Sequence, residues 1–458
     1  MIPLPHQLVG ADWLASLPFA MLGDAPRVGK TGAAIMAADK IGAARILVVT
    51  TASGRGVWKR GFDDWSVMGR PLQIMTPKDK LKPETQIVVV GWPSVGDSAL
   101  RLQLLAREWD LAILDESHYS KNFEAKRTQA TYGVPINDAE TLATRSALSA
   151  KAARVWCLSG TLLPNSPFDI YPSMRAHAAD RLAADPVKGW PDVTRESEFK
   201  KRYCKIRPKK LGNGPWARRI DVIVGGQNLD ELRQRTEGLI LLRTQQDVGI
   251  RAPIYETFPL VITETQRRQI EEAAGGAQEI MAAIDADETK NLEMHLGPLR
   301  RLTGAMKAKA IVEAVKEEFE SGLDRIVLAY WHKEVAEILI DGLAKYGVVG
   351  IDGSTSAMSR EGNIAAFRNG TARVFLGQIL AAGEAIDLSA ASELIFVESS
   401  FIPAQMKQMS LRVTNHSQAR QVRVRVAVLD GSIDDAIQTS LLRKWSAIKE
   451  VLTNDHTL

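Results

Sequence analysis

Short runs of β-branched and aliphatic residues alternate with helical patterns along most of the chain. Ile46–Thr50, Ile87–Gly91, Leu111–Asp115 and Val155–Ser159 form a first set; Arg325–Tyr330, Val348–Asp352, Val374–Gly377, Leu394–Glu398 and Val422–Leu429 form a second. Continuous apolar runs of this length, separated by helices, predict buried strands of parallel sheets joined by crossover helices. From about 160 to 320 the strand signal fades, and helical patterns take over at Leu229–Leu242, Glu264–Asp285 and Lys307–Glu320. The expected fold class is α/β, with two parallel-sheet lobes and helical insertions between them. Lobe 1 is expected over 1–255, with a helical and basic insertion at about 172–245, then a helical linker over 256–304, lobe 2 over 305–445 and a tail over 446–458.

Composition narrows the class. At 458 residues, 45% apolar and 24% charged, the chain has globular averages and material for several packed units, which excludes disordered, collagen-like and disulfide-stapled proteins. No apolar run approaches the ~18 residues that span a bilayer. The opening MIPLPHQLVG lacks the basic-then-apolar order of a secretory signal. Cys157 and Cys204 are far apart and without ligand spacing, so no metal cluster is expected and a reducing, cytoplasmic setting fits. The net charge of +4 permits a nucleic-acid partner without requiring one. Charge is uneven, however. Lys200, Lys201, Arg202, Lys205, Arg207, Lys209, Lys210, Arg218 and Arg219 occur with no acid among them until Asp221. This segment is either a solvated loop or a phosphate-gripping arm, with Trp216 available to pack or stack.

Two motifs carry chemistry. Asp24-Ala-Pro-Arg27-Val28-Gly29-Lys30-Thr31 runs into a helical pattern at Gly32–Lys40. A nucleotide phosphate needs backbone N–H groups at a helix N-terminus, a lysine charge and a hydroxyl for Mg²⁺. Gly29 permits the close approach, Lys30 would reach the β- and γ-phosphates, and Thr31 would hold the metal. Asp24 stands where GxxxxGK[ST] has its first glycine, so this motif alone is incomplete. About 85 residues later, Leu111-Ala-Ile-Leu-Asp115-Glu116-Ser-His118 is an apolar strand ending in two acids, at the edge where ligands of parallel sheets collect. Asp115 would bind Mg²⁺ through water, and Glu116 would orient or deprotonate the attacking water. Leu158-Ser159-Gly160-Thr161 ends the next strand, as a plain turn or as hydroxyls that sense the phosphate.

With these residues in order, the chain resembles the Swi/Snf-type ATPases of helicase superfamily 2 over nearly its whole length. Leu4-Pro-His6-Gln7 looks like the adenine-reading Q motif, and Asp24–Thr31 takes the place of DEMGLGKT. Thr51-Ala52-Ser53 with Trp58 resembles the first DNA-contacting motif, and Asp115-Glu-Ser-His118 with Lys121-Asn122 the DExH–KN segment. Ser159-Gly-Thr161-Leu-Leu-Pro-Asn165-Ser is close to SGTPIQNS. Ile351-Asp352-Gly353-Ser354-Thr355-Ser356 with Arg360 and Phe367 resembles the IDGSTS block, Ala381–Leu388 the AGGxGxNL motif, and Gln408–Arg412 with Gln418 the QAxxRxxRxGQ motif. DESH itself, Arg202-Tyr203-Cys204, Asn228–Leu232 and Leu242-Arg243 before Asp247-Val248 are similar to the HepA-related annealing-helicase branch, in a compact, phage- or prophage-like form.

The resemblance implies two RecA-like lobes that enclose ATP and Mg²⁺ and move on duplex or branched DNA through backbone contacts. His6, Gln7, Asp24, Arg27, Val28, Gly29, Lys30 and Thr31 would bind ATP from lobe 1, and Gly383, Glu384, Asp387 and Arg412 from lobe 2. Lys30, Asp115, Glu116, Gln408 and Arg412 would be catalytic, Thr31 and Asp115 the metal ligands, and His118, Ser159 and Thr161 the coupling residues. Ser53, Arg55, Lys59, Lys205, Arg207, Lys209, Lys210, Ser354 and Thr355 would face DNA. Asn415 falls where the family has its arginine finger: either hydrolysis is slow, or Arg412 or Arg420 supplies the charge. The expected activity is DNA-dependent ATP hydrolysis driving translocation. A strand-separating DNA or RNA helicase and an ATP-gated DNA clamp with weak turnover are the alternatives.

Overall fold

The computed structural model describes residues 1–52, 54–133, 147–160, 162, 166–185, 187–211, 218–274, 289–382, 386–400, 403–416, 418, 420–430 and 434–435. Their elements divide the chain into two compact units, Met1–Thr244 and Gln245–Thr457.

In the first unit, strands β1 (Phe19–Leu22), β2 (Ile46–Thr50), β3 (Leu72–Met75), β4 (Ile87–Gly91), β5 (Leu111–Asp115) and β6 (Val155–Leu158) form a sheet completed by the two-residue β9 (Ile240–Leu241). The order is β3-β4-β2-β5-β6-β1-β9 and every pairing is parallel. A parallel sheet covered on both faces needs apolar residues at both phases of the strand. Accordingly Leu47 and Val49 pack with Trp92, Leu104 and Tyr171. Their neighbours Ile46 and Val48 pack with Ala34, Ile35 and Trp58 on the opposite face. Three helices cover that face and border the strand ends: α1 (Pro5–Ser16), α2 (Lys30–Lys40) and α3 (Gly54–Trp65). α1 begins with Pro5 at its first position, where the missing N–H costs nothing.

The second unit repeats the scheme. Strands β10 (Ile254–Leu260), β11 (Ile326–Tyr330), β12 (Val348–Ile351), β13 (Val374–Gln378), β14 (Glu393–Phe396) and β15 (Arg423–Leu429) lie in the order β10-β15-β14-β11-β13-β12. All are parallel, and Leu328 and Val327 face opposite cores. The fold is thus α/β with two parallel-sheet lobes.

Three expectations are corrected. The segment at 256–304 is not wholly helical: Ile254–Leu260 pairs residue for residue with Arg423–Leu429, so the second unit starts well before 305. Leu229–Leu242 is not one helix, because Gly238 adopts φ 78° after Leu229–Thr236 and turns the chain into β9. The basic segment is a two-stranded antiparallel hairpin, β7 (Cys204–Leu211) and β8 (Arg218–Gly226). The helical pattern at Lys307–Glu320 is the end of a longer helix, Thr289–Glu320, and that at 264 covers Glu264–Ala274, the rest lying outside the described residues.

The hairpin base is firmly held. Glu231 accepts from Arg202, from the Tyr203 hydroxyl at 2.7 Å and from Arg235 at 3.2 Å. Arg235 is fully buried and also donates to the carbonyls of Leu182, Ala183 and Pro191, with Trp190 beneath its guanidinium. Removing one side of such a buried set leaves its partners unsatisfied, which costs about 3–5 kcal/mol. Arg235→Ala is therefore expected to lower the melting temperature of the chain and to open the 182–191 segment to limited proteolysis.

Candidate nucleotide site

The site grows from adjacent strand ends. In the order β2-β5-β6-β1, the residues that leave the sheet at its carboxyl edge are Thr50, Asp115, Ser159 and the loop Gly23–Gly29. Asp115 is in register with Leu158, which is in register with Leu22.

The loop after β1 is shaped for close approach. Gly29 caps α2 at φ 102°, so Lys30 and Thr31 are its first helical residues, and no acid lies in the first turn to cancel the positive helix end. Arg27 also has positive φ, 72°, which explains why the related motif has glycine there; a non-glycine residue held this way costs about 1–3 kcal/mol. The Lys30 ammonium donates to the Asp24 and Ala25 carbonyls at 2.5 and 3.3 Å. His6 Nε2 lies 2.8 Å from the Val28 carbonyl, and Gln7 is buried with its amide toward the Gly29 carbonyl at 3.4 Å. Both residues of the Q-like motif thus brace the phosphate loop itself.

Asp24, nearly fully buried, is met by both arms of Arg243: Nε donates to Oδ1 at 2.8 Å and Nη2 to Oδ2. The third nitrogen donates to the His6 carbonyl, and the Ala25 N–H donates to the Arg243 carbonyl at 2.8 Å. A Cβ at Gly10 of α1 would lie 2.6 Å from Arg243 Nη2, so this helix needs glycine where the guanidinium passes. One cation therefore joins α1, the phosphate loop and the chain beyond β9.

Across the sheet edge, Asp115 Oδ2 accepts from Thr50 Oγ1 at 2.7 Å and from Trp58 Nε1 at 2.8 Å, while Trp92 Nε1 donates to its main-chain oxygen at 2.7 Å. Burial and the adjacent Glu116 carboxylate push the Asp115 carboxyl above its usual range; the Thr50 and Trp58 hydrogen bonds and the charge of Lys30 oppose this. Glu116 sits at φ 51°, a strained left-handed conformation that turns its side chain away from the strand direction. Its Oε2 lies 3.2 Å from His118 Nδ1 and accepts from Ser159 Oγ at 3.5 Å, and His118 Nδ1 is 3.0 Å from Ser159 Oγ. The expected coupling pair His118 and Ser159 thus joins Glu116; Thr161 lies outside the described residues.

Thr31 and Asp115 are hard oxygen donors, and no group of three or more His, Cys, Asp or Glu able to hold a metal exists among the described residues. That donor set fits Mg²⁺, which takes one or two carboxylates together with phosphate oxygens and water.

The residues expected to face DNA from the first unit differ in their surroundings. Trp58, read with a DNA-contacting motif, is fully buried and serves Asp115. Arg55 donates to the Ala52 carbonyl, Lys59 is exposed and pairs with Asp63 at 3.4 Å, and Ser53 lies outside the described residues. In the hairpin, Lys205 and Arg207 are exposed, and Lys209 and Lys210 continue β7. Lys200 and Arg202, by contrast, are engaged by Glu196 and Glu231.

In the second unit Ser354 and Thr355 hydroxyls both donate to Asp352 Oδ1, and these hydrogen bonds pull the Asp352 carboxyl down to about 2. Asp387 accepts from Ser389, Asn415 Nδ2 donates to Ser389 Oγ at 3.2 Å, and Gln418 donates to the Ser389 and Ala391 carbonyls. Arg412 is buried, Gln408 is half-buried, Arg420 is exposed, and Gly383 and Glu384 lie outside the described residues.

Sequence reasoning missed Thr50, Trp92 and the role of Arg243. Arg243 was visible only as part of a resemblance; the signal that would have found it is Asp24, the one acid in the loop Gly23–Gly29. Arg243→Ala is expected to leave Asp24 buried and unpaired, at a cost of about 3–5 kcal/mol, and to weaken nucleotide binding measured by fluorescence titration. Asp24→Asn with Arg243→Met, which removes both charges, is expected to restore most of the stability.

Residues 306–417 match the helicase conserved C-terminal domain family. Over 457 residues the chain is 26% identical to the SWI/SNF-related matrix-associated actin-dependent regulator of chromatin subfamily A-like protein 1 of Xenopus tropicalis, which covers 98% of this chain and 44% of that protein. Over 413 residues it is 23% identical to the DNA annealing helicase and endonuclease ZRANB3 of Homo sapiens, covering 87% of this chain and 35% of that one. The chain therefore spans less than half the length of these relatives. A Sulfolobus solfataricus SWI2/SNF2 ATPase core solved in complex with double-stranded DNA aligns over 98% of this chain and 92% of its own, with 19% identity and a TM-score of 0.42. Among the described residues no helix is long and apolar enough to cross a membrane. Residues 306–417 thus carry a helicase C-terminal domain, and over most of its length the chain is similar to SWI/SNF-related proteins and to DNA annealing helicases.

Proposed function

We propose that the chain is a DNA-dependent ATPase that converts ATP hydrolysis into movement along, or remodelling of, duplex or branched DNA. The observation that carries the reading is that an acid-free helix start bearing Lys30 and Thr31, after β1, shares the carboxyl edge of one sheet with the Asp115–Glu116 pair at the end of β5, with only β6 between the two strands. Lys30 and the N-terminus of α2 hold the phosphates by charge and by backbone N–H groups. Thr31 and Asp115 would hold Mg²⁺, which would supply positive charge against the phosphates. Glu116 orients the attacking water and takes its proton, with His118 and Ser159 fixing its carboxylate. Little covalent chemistry falls to the protein in phosphoryl transfer, so positioning and electrostatics supply the rate. From lobe 2, Gln408 and Arg412 serve the γ-phosphate and Asp387, with Gly383 and Glu384, the nucleotide or coupling interface. DNA is gripped by its phosphates through Arg55 and Lys59 of α3, Lys205, Arg207, Lys209 and Lys210 of the hairpin, and Ser354 and Thr355 of lobe 2, without base reading.

Phosphate release with and without duplex DNA tests the reading: stimulation by duplex supports a motor, and ATP binding with unstimulated, slow turnover supports the clamp. Lys30→Ala and Glu116→Gln are both expected to abolish turnover, but differently. Loss of Lys30 removes charge from the ground-state phosphates and weakens nucleotide affinity, whereas Glu116→Gln keeps ATP bound. Equal, severe loss of affinity in both variants would mean that Glu116 does not act on the water.

Neutralising Lys205, Arg207, Lys209 and Lys210 together is expected to weaken DNA binding similarly on any sequence and to leave ATP affinity unchanged. The slope of log affinity against log salt is expected to flatten by up to about 0.9 per lost contact. An unchanged slope assigns the hairpin to solvent.

A further inference from the structure

We propose that one face of α3, formed by Gly54, Trp58 and Gly61, is the seat that fixes the two oxygen donors of the metal, and that Trp58 and Thr50 are positioning residues for Asp115; this rests on the chain being an ATPase. The spacing i, i+4, i+7 puts the three on one stripe of the helix, and all three are buried. Each meets a different part of the site. A Cβ at Gly54 would lie 2.2 Å from Thr50 Oγ1, so only glycine lets the helix start this close to the end of β2. Trp58 Nε1 donates to Asp115 Oδ2 at 2.8 Å, the same oxygen that Thr50 Oγ1 reaches at 2.7 Å. A Cβ at Gly61 would lie 3.1 Å from Thr31 Cγ2 and from Ile35 Cδ1, so the far end of the stripe supports the helix turn that presents the Thr31 hydroxyl.

Two donors on one carboxylate oxygen, from two different elements, fix the plane of the group and therefore the direction of Oδ1. Trp92 fixes the main-chain oxygen of the same residue at 2.7 Å, so Asp115 is held at both ends. A metal ligand held this way keeps its geometry without being ordered by the metal, the effect that second-sphere hydrogen bonds have on ligating carboxylates. Trp58 is also packed for this role, with Phe62 one turn on at 6.0 Å between ring centroids. A phenylalanine would keep most of that packing and lose only the N–H. Arg55 and Lys59 flank Trp58 on the same helix, so whatever grips their side chains acts on an element bonded directly to the metal carboxylate.

The test is the Mg²⁺ dependence of binding of a fluorescent ATP analogue to the full chain, read alongside thermal melting. Trp58→Phe and Thr50→Val are each expected to raise the Mg²⁺ concentration for half-maximal effect about tenfold, as expected for loss of one hydrogen bond to a charged group. Their binding of the analogue without Mg²⁺ is expected to stay as in the parent chain. Gly54→Ala, which must displace the Thr50 hydroxyl, is expected to copy Thr50→Val. Trp109→Phe is the control: it removes an equally buried indole N–H, bonded to the Leu104 carbonyl at 3.1 Å, and is expected to leave the Mg²⁺ dependence unchanged. If Trp58→Phe does not fold, Thr50→Val and Gly54→Ala carry the test. An unchanged Mg²⁺ midpoint in folded variants overturns the seat while leaving the ATPase reading intact. Mg²⁺-independent binding in the parent chain overturns the seat alone, and no binding of the analogue at all overturns the ATPase reading with it.

Discussion

The buried ion pair between Asp24 and Arg243 is the constraint from which the first lobe follows. A carboxylate at 1% exposure has lost its water and needs a partner for its oxygens, and here the partner comes from 219 residues away. To deliver it, the chain must return alongside β1. It does so as β9, with Met21, Gly23 and Ala25 donating in turn to the carbonyls of Leu239, Leu241 and Arg243. The phosphate loop is thereby clamped along its length: on one side by this returning strand, on the other by His6 and Gln7 of α1. Within the clamp the backbone accepts left-handed conformations at Arg27 and Gly29, which open a turn able to approach an anion. Gln245, the first residue of the second lobe, follows Arg243 after a single intervening residue. The segment that leaves lobe 1 is thus tied to its phosphate loop by a charge that neither side can release cheaply.

The acidic half of the site obeys the same logic with hydrogen bonds in place of an ion pair. Asp115 is raised by burial and by Glu116, and donors from β2 and α3 keep its ionised form accessible. Glu116, one residue on, is freed from the strand direction by its positive φ and is met by His118 and Ser159. Two neighbouring carboxylates thus acquire different surroundings, one fixed by hydrogen bonds from two elements and one set among polar groups, the difference that the proposed roles of ligand and base call for. The hairpin is built differently. Its base is locked through Glu231, which uses up Arg202, while the exposed Lys205 and Arg207 keep their charge at the surface.

Long central strands were legible because parallel strands buried on both faces must be continuously apolar. Ile46–Thr50, Ile87–Gly91 and Leu111–Asp115 are unmistakable, and the structure has them at those bounds. Phe19–Leu22 and Leu72–Met75 are only four residues long and merge with their flanks. Ile240–Leu241 is a strand only because β1 lies beside it, and the hairpin strands carry too many cations to show an apolar alternation. Ile254–Leu260 has Glu256 and Pro259 within it and joins a sheet whose other strands begin some 70 residues later.

The sequence by itself determined which chemistry is available: a glycine-lysine-threonine helix start, an aspartate–glutamate strand end, and a basic excursion between them and the second set of strands. These are local patterns, and a local pattern survives in one dimension because helix caps and strand ends draw on residues a few positions apart. Tertiary structure alone decided which of those groups are held, and by what. Arg243 with Asp24, Trp58 and Thr50 with Asp115, and Arg235 with the 182–191 segment are pairings across tens to hundreds of residues. Their physical reason is burial: a polar group taken out of water must find a partner wherever the packed chain brings one, and no periodicity in the sequence records where that is.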